Sequence, residues 1–261
     1  MHAGSELHLT VWGSDKDERL LFVHGSMSWG EECWREQRPL ADDHRVELVD
    51  RRGFGESPGP DAGDWEADAA DLGAPLHEPA HLVGHSYGGV SALMAAALYP
   101  EGVRSLTVVE PPAFGLVRGD EVVEKFIRRV ETAKRDAHDP LDYYRRFVAS
   151  FGLPPRIQHL APGKQVRAAQ SSWRERPPWE AEIPLETMRA AGIPTLVVRG
   201  AWDKTPPEAR AAGMRTLHAV CDVLVAGLDA QSETFTGAAH NPQLLGPPFN
   251  ERLRAFWSSA A

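Results

Sequence analysis

Ser86 stands at the centre of the string GHSYG, residues 84–88, which fits the pattern G-x-S-x-G. An apolar run precedes this string and an alanine-rich, helix-like segment follows it, so the serine falls on a direct turn from strand to helix. Glycines relieve the crowding of such a turn because they lack a Cβ atom. The pattern predicts that Ser86 is a nucleophile and that the Tyr87 N–H, at the helix start, faces a developing oxyanion.

A serine hydroxyl is a poor nucleophile unless a neighbouring base removes its proton. Among the eleven histidines, His240 lies in TFTGAAHNPQ, just past the last strand-like run. This position agrees with the chain order serine, acid, histidine, so His240 is the predicted base. His24 and His85 flank glycines beside the predicted nucleophile, and we expect them to shape the site.

Seven short apolar runs alternate with helix-like segments along the chain. The runs are LHLTVWG, LLFVHG, VELVDRRG, AHLVGHS, SLTVVEPP, TLVVRG and ETFTGAAH. Runs that are continuous more often than alternating are typical of strands covered on both faces. The order predicts an α/β fold with a mostly parallel central sheet of about seven to eight strands, flanked by helices. In such a sheet, the loops at the carboxyl ends of the strands carry the chemistry.

One region interrupts this alternation. Residues 114–189 are charged and helix-like and contain no strand-like run, so they are predicted to form an inserted helical cap over the strand ends. The core then comprises residues 1–113 and 190–261. Aromatic residues of the cap, together with one near residue 26, are candidates for an apolar substrate pocket, although core packing would also explain them. The candidates are Trp29, Tyr143, Phe147 and Trp179, with Tyr144, Phe151 and Trp173 as further aromatic residues.

Composition excludes several other functions. The 261 residues carry a formal net charge of −9 without an uninterrupted basic cluster, which argues against nucleic acid or an anionic membrane as a partner. Cys33 and Cys221 lack the spacing of metal ligands or of a disulfide framework, so we expect free thiols and no metal. The first residues lack a basic start followed by a long apolar run, and no run approaches the roughly 18 apolar residues of a membrane span, so neither a secretion signal nor a membrane span is expected. A cytoplasmic protein is expected.

Four motifs resemble, in order, those of the α/β-hydrolase superfamily over nearly the whole chain: HGSMSW, DRRGFGES, GHSYGG and GAAHNPQ. The resemblance implies that the backbone N–H groups of Ser26 and Tyr87 form the oxyanion hole. It also implies that DRRGFGES is a structural loop. GHSYGG has no lysine after it, so it is not a phosphate-binding loop.

The acid of the expected triad has two candidates. Asp203, in VVRGAWDKTPPEA, is similar to the Gly-x-x-Asp turn of the family and is preferred, although its 37 positions to His240 are a somewhat long interval. Glu110 ends the run TVVE and lies 24 positions after Ser86. Some members, among them lactonases that open macrocyclic resorcylic lactones, carry their acid there. Either carboxylate could hold the imidazole in its working tautomer.

The resemblance implies a cofactor-free hydrolase that cleaves a partly apolar, small-molecule ester or lactone through an acyl-serine intermediate. A serine at this position argues against the haloalkane dehalogenases and epoxide hydrolases of the superfamily, which use aspartate. Two alternatives remain open. The same residues could hydrolyse a C–C bond or a thioester, or the protein could bind a ligand without catalysis.

Overall fold

A computed structural model describes residues 7–60, 62–154 and 162–260 of the chain. Each of the seven predicted runs overlaps a β-strand. The strands are β1 (Leu9–Trp12), β2 (Arg19–Val23), β3 (Arg45–Val49), β4 (Ala80–His85), β5 (Val103–Val109), β6 (Thr195–Gly200) and β7 (Gln231–Phe235). They form a single sheet in the order β1-β3-β2-β4-β5-β6-β7.

All neighbouring strands of the sheet run parallel except β1, which is antiparallel to β3. Every residue of β2 and β4 is buried, as expected for central strands covered on both faces. The predicted fold class, a mostly parallel sheet with flanking helices, is therefore confirmed.

Helices cover both faces of the sheet and its carboxyl edge. They are α1 (Gly30–Cys33), α2 (Trp65–Asp71), α3 (Tyr87–Leu98), α4 (Glu121–Arg135), α5 (Pro140–Ser150), α6 (Pro162–Trp173), α7 (Leu185–Ala191), α8 (Pro207–Ala209), α9 (Arg215–Leu228) and α10 (Pro247–Ala260). A 3₁₀ segment, Arg35–Asp42, follows α1.

Side chains alternate across the strands, so the core has two halves. Leu21 and Val23 of β2 pack with α2, α3 and α9 on one face. Leu20 and Phe22 pack on the other face with the 3₁₀ segment and α10, which contributes Phe256 among others. The two-residue period of the strand thus joins both helical layers to one sheet.

Between β5 and β6, the described residues form helices α4 to α7 and contain no strand. Helix α4 packs on α5, and α5 packs on α6. Helix α7, in contrast, packs on α3 and α9, and its Met188 belongs to the core beside the sheet. The chain has therefore rejoined the sheet layer before residue 189, where the cap was expected to end. Residues 155–161 of the predicted cap lie outside the described residues.

Within the described ranges, one helical stretch, Pro207–Leu228, is long and apolar enough to cross a membrane. Its buried residues include Leu217, Val220 and Leu224, which pack in the core beside the sheet. This is the packing of a core helix.

The first turn of α3 lies against the end of β2 at Gly88. A Cβ atom at Gly88 would meet the Val23 carbonyl oxygen at 2.6 Å and the His24 carbonyl oxygen closer still. We expect Gly88→Ala to lower the free energy of unfolding by about 1–3 kcal/mol, because backbone atoms must move. Urea titration measures this change as a lower midpoint of unfolding with an unchanged m-value.

Gly163→Ala is the matched control for Gly88→Ala. Gly163 lies in α6, and a Cβ atom there has nothing within 4 Å. The alanine should leave stability unchanged or raise it by up to about 1 kcal/mol, because alanine is the better helix former. Equal effects of the two substitutions would contradict the close approach at Gly88.

Candidate active site

Ser86 occupies a strained turn between β4 and α3. Its φ of 52° and ψ of −125° are a conformation that residues with a side chain rarely adopt. The turn is held because Ser86 N donates to Val109 O at 2.9 Å and Ser86 O accepts from Gly89 N at 2.8 Å. A Cβ atom at Gly84 would meet Gly88 O at 2.6 Å, so glycine permits the tight turn. The half-buried hydroxyl faces the carboxyl edge of the sheet.

Ser86, His240 and Glu110 form a continuous chain of hydrogen bonds. His240 Nε2 lies 2.9 Å from Ser86 Oγ, and His240 Nδ1 lies 2.8 Å from Glu110 Oε2. A carboxylate only accepts, so the network assigns the ring proton to Nδ1 and leaves Nε2 to accept from the serine. The imidazole is therefore held in the tautomer that a general base for Ser86 requires.

Glu110 is fully buried behind the histidine. Its Oε1 accepts from Gly200 N at 2.9 Å and from Trp202 Nε1 at 3.0 Å. Burial alone would raise its pKa, but hydrogen bonds from His218, His240 and Trp202, together with the charge of His240, hold the pKa at about 2. The carboxylate is thus ionised at neutral pH.

Asp203, the acid preferred from the sequence, does not reach His240. Its exposed side chain accepts a hydrogen bond from Gly237 N at 2.8 Å, so it braces the loop that leads to the histidine. The preference for Asp203 is corrected: the carboxylate in contact with the imidazole belongs to Glu110. The turn motif around Asp203 is present, but its carboxylate is directed at the backbone of the loop.

His85 and His24 lie beside the site without contacting the serine hydroxyl. His85 Nε2 lies 2.9 Å from His240 O, and burial together with the charge of His240 lowers the pKa of His85 to about 3. His24 Nε2 accepts from Arg51 N at 3.0 Å, and burial and the Arg51 charge lower its pKa well below 6.5. Both imidazoles are therefore neutral and support the neighbouring backbone.

The two predicted oxyanion donors lie on either side of the nucleophile. Ser26 follows Gly25, where a Cβ atom would lie 2.8 Å from the Cβ of Ser86. Tyr87 is the first residue of α3. Among the described residues, the backbone N–H groups of Ser26 and Tyr87 have no protein acceptor, so both donors are free for a ligand. This arrangement suits a negatively charged oxygen that lies beside the Ser86 hydroxyl.

A cavity with about 660 Å³ of empty volume, part of it open to solvent, lies over Ser86 and His240. Three of the four aromatic candidates line it: Tyr143, Phe147 and Trp179. Phe151, one of the further aromatic residues named from the sequence, also lines it, whereas Tyr144 and Trp173 are not among the lining residues. The lining contains other apolar side chains that were not singled out, namely Phe114, Phe126, Val130 and Leu217. The Phe151 ring is centred 5.6 Å from the imidazole of His240.

Trp29, the fourth aromatic candidate, does not line the cavity. It is buried against Phe54 and Ala168 in a separate small cluster. Its proximity in sequence to Ser26 suggested a pocket role, but the backbone at Met27 has a φ of 62° and the chain turns there. The prediction for Trp29 is corrected.

Three polar residues of the predicted cap that line the cavity were not predicted from the sequence. Glu175, Ser172 and Lys134 line the cavity beside the serine. Glu175 lies in the string RERPP, where nothing in the local pattern separates it from the other charges of the segment. Its position follows only from packing between the cap and the loops of the sheet.

A family model described as "Alpha/beta hydrolase family" matches residues 20–251. The chain belongs to this family. The match includes all three members of the hydrogen-bonded chain, the loop that carries Ser26 and the helices between β5 and β6. The predicted superfamily is therefore confirmed.

Three known proteins illustrate the relationship of this alpha/beta hydrolase family member. A pimeloyl-(acyl-carrier protein) methyl ester esterase from Methylococcus capsulatus is 32% identical over 197 residues, 71% of this chain and 72% of the relative. The probable lysophospholipase BODYGUARD 3 of Arabidopsis thaliana is 29% identical over 140 residues, 49% of this chain and 28% of that protein. The structure of a thermophilic esterase from Thermogutta terrifontis, malate bound, has a TM-score of 0.65 and 24% identity, covering 97% of this chain and 93% of the other.

The chain spans 28% to 62% of the length of three curated relatives that it matches. The likeness to the Thermogutta esterase establishes the fold. What this family member does must therefore be argued from its own residues.

The depressed pKa of Glu110 predicts a pH-dependent contribution to stability. As the pH falls, the unfolded chain binds a proton near the ordinary value of 4.5, whereas the folded protein does so only near 2. The contribution, on the order of 3 kcal/mol, is complete above about pH 4.5 and is lost between that pH and 2. Glu110→Gln should therefore destabilise the protein most above pH 4.5, with a difference from wild type that shrinks as the pH falls.

Urea unfolding at several pH values between 3 and 7 measures that difference. Asp203→Asn serves as the control, because the Asp203 carboxylate is exposed and holds a single loop N–H. A constant difference between wild type and Glu110→Gln over this range would contradict the ionised, buried carboxylate.

Proposed function

We propose that this protein is a serine hydrolase that cleaves a carboxylic ester or a lactone through an acyl-Ser86 intermediate. The observation that carries the proposal is the chain of hydrogen bonds from Ser86 Oγ through His240 to the buried Glu110. This arrangement activates a serine hydroxyl and holds the charge that forms on the imidazole.

In the first half of the reaction, Ser86 Oγ attacks the carbonyl carbon while its proton passes to His240 Nε2. The π electrons of the carbonyl move to its oxygen, which becomes an oxyanion. The N–H groups of Ser26 and Tyr87 bind this oxyanion. Each such donor is worth roughly 3–4 kcal/mol of transition-state stabilisation. The tetrahedral intermediate then collapses, and His240 returns the proton to the departing alcohol oxygen. The acyl group remains on Ser86.

In the second half, a water molecule loses a proton to His240 Nε2 and attacks the acyl-Ser86 carbon. The same two donors bind the second oxyanion. Collapse breaks the bond between the acyl carbon and Ser86 Oγ, His240 returns the proton to Oγ, and the carboxylic acid leaves. In a lactone the alcohol and the acid belong to one molecule, so a single open-chain product leaves. Glu110 stabilises the imidazolium in both halves and stays ionised throughout.

The cavity supports a substrate with an apolar part. Its rings and aliphatic side chains come from the cap and from α9, and they lie next to the nucleophile. The name of the Methylococcus relative, a methyl ester esterase, agrees with ester cleavage. The polar groups of the cavity, including Lys134 and Glu175, suit a substrate that also carries a hydrogen-bonding group.

Substitution of the two candidate acids separates their roles. Glu110→Gln should lower kcat by about 10⁴-fold, because the neutral amide no longer selects the working tautomer or stabilises the imidazolium. Asp203→Asn should lower kcat by less than about tenfold, because it alters only a loop contact. The measurement is steady-state hydrolysis of p-nitrophenyl acetate, with circular dichroism to confirm folding. Comparable losses in both variants would contradict Glu110 as the acid.

The length of the acyl group that the cavity accepts can be measured with p-nitrophenyl esters. Each additional buried CH₂ contributes about 0.8 kcal/mol, so kcat/KM should rise about fourfold per carbon until the cavity is filled. Ser86→Ala should abolish turnover of every ester in the series. A flat length profile would contradict an apolar acyl site, and activity that persists in Ser86→Ala would contradict the proposed mechanism.

A further inference from the structure

Three charged residues are buried together beneath the cavity. The Arg51 guanidinium, 1% exposed, lies 2.8 Å from Asp68 Oδ2 and 2.7 Å from Glu175 Oε1. Arg51 follows β3, Asp68 lies in α2 and Glu175 follows α6 in the predicted cap. Buried charges are costly unless they are paired and hydrogen-bonded, so this cluster needs all of its contacts. The mechanism proposed above uses none of them directly.

Glu175 also contacts the loop that carries the proposed oxyanion donor. Ser26 Oγ donates to Glu175 Oε2 at 2.5 Å, while the other carboxylate oxygen accepts from Arg51. One turn earlier, Ser172 Oγ accepts from Met27 N at 2.8 Å. Two consecutive residues of the loop are therefore bound by side chains from the last turn of α6 and the residues just after it.

Arg51 fixes the other side of the same peptide unit. Its guanidinium donates to His24 O at 3.0 Å and to Gly25 O at 3.3 Å. In a trans peptide, the carbonyl of Gly25 and the N–H of Ser26 point in opposite directions. Because Gly25 O is directed toward Arg51, the Ser26 N–H is directed away from it. Glu175 is hydrogen-bonded to Arg51, which binds the carbonyl of the Gly25–Ser26 peptide, and to the hydroxyl of Ser26. It therefore acts on this peptide through both of its residues.

We infer that Glu175 is a positioning residue, which orients the Ser26 peptide so that its N–H binds the oxyanion. The inference rests on the proposed function, since it assigns a role in ester or lactone hydrolysis. Glu175 acts through Ser26 and Arg51 and takes no part in proton transfer. It follows that the oxyanion hole is complete only when the segment after α6 is docked on the sheet.

Glu175→Met tests the role with little change in volume. Arg51 keeps Asp68 as a counter-ion, so the variant leaves no unpaired buried charge. We expect kcat for p-nitrophenyl butyrate to fall tenfold or more, because a displaced donor no longer stabilises the transition state. KM should stay within threefold, because the butyryl group is apolar and the apolar side chains that line the cavity are unchanged. Glu180→Met, at an exposed glutamate of the same segment, is the matched control and should keep wild-type kcat.

A trifluoromethyl ketone separates positioning from general damage. Ser86 Oγ adds to its carbonyl carbon, the proton passes to His240, and the carbonyl oxygen becomes an oxyanion in the hole. Its inhibition constant should rise tenfold or more in Glu175→Met. Glu175→Gln should recover part of both losses, because its amide can accept from Arg51 and donate to Ser26 Oγ. Unchanged inhibition by the ketone in a folded Glu175→Met would overturn the inference.

Hydrogen–deuterium exchange supplies a readout that does not need turnover. The peptide covering residues 24–28 should exchange faster in Glu175→Met than in wild type, and Glu180→Met should not change it. If Glu175→Met does not fold, Ser26→Ala replaces it. That variant removes only the hydroxyl contact and should accelerate exchange over residues 24–28 while lowering kcat severalfold. Wild-type exchange in the folded variant would overturn the role of Glu175.

The exchange and kinetic results also distinguish the two proposals. A wild-type protein that hydrolyses neither esters nor lactones, or a Ser86→Ala variant that hydrolyses them as well as wild type, contradicts the proposed function. Active wild type with an inactive Ser86→Ala variant supports it. In that case, a Glu175→Met variant with normal kcat and normal exchange overturns the positioning role alone.

Discussion

The site depends on the close approach of the first turn of α3 to the ends of β2 and β4. Glycines at positions 25, 84 and 88 allow backbone to lie where a Cβ atom would collide with neighbouring atoms. This approach forces Ser86 into a positive-φ conformation, and the surrounding hydrogen bonds stabilise it. The same turn places the Tyr87 N–H beside the hydroxyl. The proposed nucleophile and one of the two proposed oxyanion donors thus depend on the same local constraint.

Two buried carboxylates lie beside that turn, and each is hydrogen-bonded to different partners. Glu110 accepts hydrogen bonds from the Trp202 indole and from Gly200 N. Its charge acts on His240, whose Nδ1 it contacts. Glu175 is paired with Arg51 and the Ser26 hydroxyl, and its charge acts on the loop across the nucleophile. In a low-dielectric interior such contacts are strong and directional. They connect both sides of the proposed site to buried charges.

Local sequence patterns predicted the fold and two of the three residues of the hydrogen-bonded chain. Continuous apolar runs marked all seven strands, and the G-x-S-x-G string and its context marked Ser86. Asp203 was preferred over Glu110 as the acid, and this preference was wrong; the turns at both positions suit a carboxylate, so the local sequence does not separate them. Which carboxylate reaches His240 depends on where each side chain is directed. For Glu110 this direction is set partly by Trp202, which is 92 positions away in sequence. The positions of Trp29 and Glu175 likewise depend on packing between segments far apart in the chain, which a local pattern does not encode.

The central claim is that Ser86 carries the acyl group during turnover with Glu110, not Asp203, behind the histidine. Intact-protein mass spectrometry of acid-quenched samples, taken milliseconds after mixing with excess p-nitrophenyl trimethylacetate, measures it directly. The account predicts an added trimethylacetyl mass, located on the peptide with Ser86, in wild type and in Asp203→Asn. The adduct should be absent on this timescale in Glu110→Gln. An adduct on another residue, or equal acylation of Glu110→Gln and wild type, would contradict the account.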